Sequence, residues 1–201
     1  MAPTATVIDV GSVKHPVVLE ADAALSSGRF VGCHPLAGAE HVGVGAADPE
    51  IFAGRACFLC PSERTSPEAT RMATLFWQGL GCQVASIEPA LHDRLMAAVS
   101  HLPHVAAFAL AASLTDALPL IESNTLPGRP TTSLRDTIRI AASSPQVWRD
   151  ILLANREHLL PLVRELEQRV STISAAMASG DAAALEAALA LGQACRQRLV
   201  K

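Results

Sequence analysis

The feature that most constrains this chain is a change in apolar period near residue 90. Before it, short β-branched or apolar runs alternate with segments of helix length. After it, apolar residues recur at helical spacing almost to the C-terminus. Short strands alternating with helices are the pattern of a parallel α/β sheet, and a wholly helical half must pack helix on helix. The sequence therefore divides into an α/β part over 1–90 and an all-α part over 91–201. Aromatic side chains cannot fill either core, because the 201 residues include five Phe, two Trp and no Tyr. Ala, Leu and Val must do so, which favours closely packed helices.

In the first part, Thr4–Val10 (TATVIDV) reads as a strand ending at Gly11. A helix follows over Val13–Leu25, with Pro16 in its first turn, where a missing N–H costs little. Phe30–Cys33 is a short strand leading to a Gly- and Pro-rich loop over His34–Asp48. Ala56–Cys60 is a third strand. Ser66-Pro67-Glu68 is a strong helix start, and that helix ends at Gly81. Cys82–Ile87 is the last strand. In the second part, Leu91–Ile121 has helical spacing interrupted at Pro103, which predicts a kink or break. Asn124–Pro130 is a loop. Ser133 with Asp136 resembles a capping box, Ser144-Pro145 opens the next helix, and Ile151–Met177 is spaced for one long amphipathic helix. Ser179-Gly180-Asp181 ends it and caps the last helix.

Several function classes are excluded or disfavoured. Sixteen basic against nineteen acidic residues give a net charge of -3, so no basic field supports nucleic-acid binding. The longest apolar stretch, Val105–Leu114, is about half a membrane span, so no membrane segment is expected. No secretory signal is visible, and five irregularly spaced cysteines fit a reducing cytoplasm. Cys57 and Cys60 form a lone CxxC on a strand, where positions i and i+3 face opposite ways. They read as buried or half-buried thiols, not a metal site. Gly43-Val44-Gly45 lacks the third glycine of a phosphate loop and reads as a flexible loop.

The polar residues hold more information. His34 follows a strand. His92 precedes Asp93 at a helix start, and His101 and His104 bracket Pro103. Arg139 lies in an apolar setting where an unpaired guanidinium is costly. Ser12 stands at the C-terminal end of a strand, where open α/β sheets place ligands. Each also has a structural reading: a loop histidine, caps beside Pro103, an Arg139–Asp136 pair, an N-cap serine. A metal reading of His92, His101 and His104 is disfavoured by the scarcity of carboxylates and by the proline.

Four segments, IDVGSVK (8–14), GCHPLAGAEHVGVGAA (32–47), HDRLMAAVSHLPH (92–104) and RDTIRIAASSPQVWRDILLAN (135–155), resemble in order and spacing the prephenate and arogenate dehydrogenases of tyrosine biosynthesis. The resemblance implies part of a Rossmann-like NAD- or NADP-binding domain followed by a helical domain that forms a homodimer. It implies hydride removal from a ring alcohol of prephenate or arogenate with loss of CO2, and tyrosine as an inhibitor. By resemblance His34 accepts the hydroxyl proton. Ser12 lies between nicotinamide and substrate, Arg139 holds a substrate carboxylate, and His92 and His104 line the substrate pocket, with His101 in the same motif. Trp148 is either a pocket wall or core.

Two departures stand out. Thr132 and Ser133 occupy positions where the family often has glycines. The family's first βα units, with their G-x-G-x-x-G turn, precede the segment resembling IDVGSVK, which here begins a few residues after Met1. The expectation is a truncated chain with compromised cofactor binding and little activity alone, its strand Thr4–Val10 left at a sheet edge. The alternative is a non-catalytic dimer module that binds prephenate or tyrosine.

Overall fold

The computed structural model describes residues 5–25, 27–38, 45, 47–122 and 131–200. It divides into two compact units, Met1–Leu159 and Leu160–Lys201. In the first unit, β1 (Val7–Ile8), β2 (Phe30–Pro35), β3 (Ala56–Cys60) and β4 (Gln83–Ser86) form one sheet in that spatial order. β1 runs parallel to β2, with Val7 opposite Phe30. β3 is antiparallel to β2, with His34 opposite Phe58, and β4 is parallel to β3.

The sheet is thus mixed, where the spacing predicted a parallel one. A parallel pair needs a connection that crosses the length of the sheet. The connection from β2 to β3 instead begins and ends at the same end of these two neighbouring strands, where the Leu36 N–H donates to the Ala56 carbonyl at 2.7 Å. β1 is shorter than the predicted Thr4–Val10 run, and Thr4 itself lies outside the described residues. β1 pairs with β2 alone, so among the described residues its other edge has no strand partner. β2 extends through His34 and Pro35, two residues beyond the predicted end.

Helix α1 (His15–Ala24) packs on one face of β2 and α2 (Pro67–Gly79) on the other side of the sheet. Val31, Cys33, Cys57 and Leu59 form the core with Ala69, Ala73 and Trp77 of α2. Ser66 caps α2 by accepting from the Ala69 N–H at 3.2 Å. Phe30 to Cys33 are all buried, which explains why this strand reads as a continuous apolar run rather than an alternation. Gly32 lets α1 approach: a Cβ there would stand 2.9 Å from Val18 Cγ2 and 3.2 Å from the Cys60 carbonyl oxygen. Cys57 and Cys60 are buried free thiols, and burial pushes both up to about 12.

The helical part begins with α3 (Pro89–Met96), capped by the Glu88 carboxylate, which accepts from the Ala90 and Leu91 N–H groups at 2.9 and 2.6 Å. It continues without a break through a π-turn, Ala97–His101, into α4 (Leu102–Ser113). The predicted break at Pro103 is absent. A proline ring lacks an N–H and clashes with the carbonyl four residues back, here Val99, and the wider π-turn just before it relieves both demands. The continuous helix Pro89–Ser113 is, by length and composition alone, long and apolar enough to cross a membrane. This corrects the expectation that no segment is. Its buried residues include His92, Asp93 and His101, groups that suit a folded polar site better than lipid.

After α5 (Leu118–Glu122) the predicted loop Asn124–Pro130 lies outside the described residues. α6 (Thr132–Ile138) is capped by Thr131, which accepts from the Leu134 N–H, and not by Ser133, which falls inside the first turn. Ser144 opens α7 (Pro145–Ala154) as predicted. The single helix predicted over Ile151–Met177 is interrupted at Asn155, after which α8 (Arg156–Ser179) begins. In the second unit, Gly180 turns the chain at φ +67° and Asp181 caps α9 (Ala182–Leu199) through the Ala184 N–H at 2.9 Å.

Candidate active site

The site is built where β1, β2, the start of α1 and the start of α3 converge. Asp9, just past β1, accepts from the Cys33 N–H at 2.9 Å and pairs with the Lys14 ammonium. Lys14 is fully buried and donates also to the Cys33 carbonyl at 2.9 Å. A buried cation needs such partners, and this one fastens the end of β1 to β2 beside His34.

Asp93 is the second anchor. One carboxylate oxygen accepts from the Lys14 N–H and the other from the His15 N–H, each at 2.8 Å, so a buried anion holds the first turn of α1. His92 Nδ1 lies 2.8 Å from Asp93 Oδ1. Burial raises the Asp93 carboxyl, but the hydrogen bonds from His92, Lys14 and His15 outweigh it and hold the group below the usual carboxylate range. Asp93 is therefore ionised and only accepts, which assigns the His92 proton to Nδ1. His92 Nε2 is then bare, and His34 Nδ1 lies 2.9 Å from it. His34 donates from Nδ1 and is left with an unprotonated Nε2. Burial, then the neighbouring His92, Lys14 and His101, push the His34 imidazole down to about 3. At neutral pH it is an uncharged hydrogen-bond acceptor whose orientation is set by a chain running back to Asp93.

The other histidines are held differently. His101, at the end of the π-turn, is buried and lies with Nδ1 3.0 Å from Asn155 Nδ2. Burial pushes it down to about 4. His104 is half-buried, and its Nδ1 donates to the Ser100 carbonyl at 2.9 Å. Its ring stacks on Trp148 at 3.6 Å between centroids, while His101 meets the same indole edge-on at 5.9 Å. Trp148 is thus half-buried as a wall against both imidazoles. The three histidines of the α3–α4 helix do not converge as a ligand set. Among the described residues no group of three His, Cys, Asp or Glu is placed to hold a metal ion.

The remaining sequence candidates are more peripheral. Ser12 is half-buried in the bend between β1 and α1, at the carboxyl end of the sheet, and stands outside the Asp9–Lys14–Cys33 network. Arg139 opens a short 3₁₀ turn after α6 and is exposed, so it is not the buried cation its apolar neighbours implied. Its charge helps lower His104, after burial, which puts it near that imidazole. Sequence reasoning missed Lys14, Asp9 and Asn155 as participants and took Asp93 only as a neighbour of His92. For Lys14 a signal existed: a lone lysine at the entry to an apolar helix, five residues after an aspartate. Asn155 gave none, because its partners lie 54 and 62 residues away.

Comparison with known proteins places both parts of the chain in one family. The nucleotide-binding domain of prephenate dehydrogenase matches residues 1–86, and its dimerisation domain matches 88–191. Prephenate dehydrogenase of Bacillus subtilis is 33% identical over 88% of this chain and 47% of its own length. Cyclohexadienyl dehydrogenase of Zymomonas mobilis is 31% identical over 87% of this chain and 59% of its own. The chain thus spans about half the length of these curated relatives. Among solved structures, prephenate dehydrogenase of Aquifex aeolicus in complex with hydroxyphenyl propionate and NAD+ superposes with a TM-score of 0.80 at 31% identity, over 99% of this chain and 68% of that one. Arogenate dehydrogenase of Synechocystis gives 0.76 at 27% identity, over 99% and 71%. Both domains, the mixed sheet and the histidine-bearing helix are accounted for together: the chain belongs to the prephenate dehydrogenase family.

Proposed function

We propose that this chain carries the substrate side of an NAD(P)-dependent oxidative decarboxylation of prephenate or arogenate. The observation that supports it best is the Asp93–His92–His34 chain, which presents a neutral, oriented imidazole at the carboxyl edge of the sheet. Oxidising an alcohol is eased by a group that accepts the hydroxyl hydrogen as the carbonyl forms, and the uncharged His34 presents a bare Nε2 for that hydrogen bond at neutral pH.

The residues present fit the nicotinamide end of the cofactor. Gly11 and Ser12 open the carboxyl end of β1 next to β2 and His34, the position at which α/β sheets receive such ligands. A Cβ at Gly11 would lie 3.1 Å from Asp9 Oδ2, so glycine keeps the backbone close to the network. The sequence contains no G-x-G-x-x-G to cradle a pyrophosphate. When bound, the cofactor supplies the hydride acceptor. His34 Nε2 accepts the hydroxyl proton while hydride leaves the ring carbon that bears that oxygen. The bond from the ring to its carboxylate then breaks, CO2 departs, and the electron pair completes the aromatic ring. The phenolate oxygen recovers the proton from His34, so the imidazole ends the cycle as it began. Arg139, beside His104, is assigned a substrate carboxylate, which a guanidinium holds with paired hydrogen bonds. Trp148 and His104 wall the pocket.

Titration calorimetry with prephenate and with arogenate tests the binding half of this reading. Absorbance of reduced nicotinamide after adding NAD or NADP tests turnover. Binding of either substrate that weakens at least about tenfold in Arg139→Ala is expected. Absence of binding to both substrates overturns the assignment.

A further inference from the structure

We propose that Asn155 is a positioning residue for this site: it fixes His101 in the Nε2–H tautomer, so that His101 serves as a hydrogen-bond donor where His34 serves as an acceptor. Asn155 is 2% exposed and His101 1%. Asn155 Nδ2 lies 2.8 Å from the Asp93 carbonyl oxygen and 3.0 Å from His101 Nδ1. A carbonyl only accepts, so the atom that meets it is the amide nitrogen and not the amide oxygen. That nitrogen carries two hydrogens. One goes to Asp93 and the other points at His101 Nδ1, which must therefore be bare. A neutral imidazole has one proton, and it is left on Nε2. Burial keeps His101 neutral, in line with its lowered pKa of about 4.

The arrangement gives one side chain two tasks. Asp93 orients His92, and through it the acceptor His34, while Asn155 holds the backbone of Asp93 and sets the opposite polarity at His101. A hydroxyl and a carboxylate or carbonyl group on one substrate call for one acceptor and one donor, so the pair of tautomers matches the substrate class proposed above. The break between α7 and α8 falls at the same residue. Asn155 leaves helical geometry, at φ -107° and ψ 20°, in a segment whose periodicity would otherwise continue as helix.

The functional part of this proposal rests on the dehydrogenase reading; the tautomer does not. The test is a long-range ¹H–¹⁵N correlation spectrum of the full chain labelled at histidine nitrogens, at neutral pH. Wild type is expected to show His101 protonated at Nε2, with His34 and His92 protonated at Nδ1. Asn155→Asp offers only acceptors, so it is expected to draw a proton to His101 Nδ1 and to weaken prephenate binding about tenfold. If Asn155→Asp does not fold, Asn155→Ala is expected to leave His101 in a mixture of tautomers. A wild-type His101 protonated at Nδ1, or a folded variant whose His101 signals do not move, overturns the proposal. A wild type that has the expected tautomers but binds neither substrate counts against the dehydrogenase reading instead. A wild type that binds prephenate equally well with and without Asn155 removes the positioning role.

Discussion

At the scale of single residues, the site is a set of groups kept in one protonation state by burial and by directed hydrogen bonds, and this has a measurable cost in acid. His34 is pushed from an ordinary value of 6.5 down to about 3, and His101 to about 4, both first by burial. The unfolded chain takes up these protons near pH 6.5 while the folded chain refuses them. Between about pH 6.5 and 3 the unfolded state therefore binds more protons, and stability falls as pH drops. Asp93 acts in the same direction at lower pH, since its folded carboxyl is depressed and its contribution disappears as it protonates. Urea midpoints measured from pH 7 to pH 4 are expected to decline in wild type and to decline less steeply in His34→Gln, which removes one of the refused protons. Equal slopes in the two proteins would show that His34 is not held neutral by the fold. The sequence picked out His34, His92 and His104 as candidates because each sits in a motif with recognisable spacing. It could not reveal the hydrogen-bond order from Asp93 to His34, because an imidazole's role depends on which nitrogen meets which partner across 58 residues.

At the scale of elements, the site depends on how closely α1 lies against β2, since the first turn of α1 carries the two N–H groups that hold Asp93. Gly32 sets that distance. Gly32→Ala places a methyl group 2.9 Å from buried Val18 and 3.2 Å from the Cys60 carbonyl, and overpacking of this kind typically costs about 1–3 kcal/mol. A loss in that range by urea denaturation is expected, with weaker prephenate binding as α1 moves from Asp93. Unchanged stability would mean that α1 shifts freely and is not the rigid support described above. The helices capped by Ser66, Ser144 and Asp181 were legible because their signals are local: a polar cap and, in the first two, a proline at the first turn. Three errors have a common cause in tertiary structure. The π-turn precedes Pro103, the helix is interrupted at Asn155, whose side chain meets Asp93 and His101, and β3 runs antiparallel to β2, its connection beginning and ending at the same end of the two strands. None of these leaves a mark in the local sequence.

At the scale of the whole molecule, the apolar surface outside the site calls for a partner. In the unit Leu160–Lys201, Val170, Met177, Leu189 and Leu191 are each more than half exposed, at 58, 66, 56 and 60%. Two helices of this length bury too little surface to be stable alone, and chains of about 40 residues generally need association or cross-links. Ala182, Leu185, Leu189 and Ala190, with Glu186 and Gln193, line one face of α9 as a shallow groove of about 410 Å³. The occupant expected there is a second copy of this chain, because the matched dimerisation domain extends over residues 88–191 and includes all of these residues but Gln193. Sedimentation velocity at micromolar concentration is expected to give a dimer. Leu189→Glu places a charge on the groove without lowering helix propensity, since Glu and Leu are both good helix formers. The variant is expected to sediment as a monomer with an unchanged helical circular dichroism spectrum. A wild-type monomer, or a Leu189→Glu dimer as tight as wild type, would place the dimer contact elsewhere than on this face of α9 or remove it altogether.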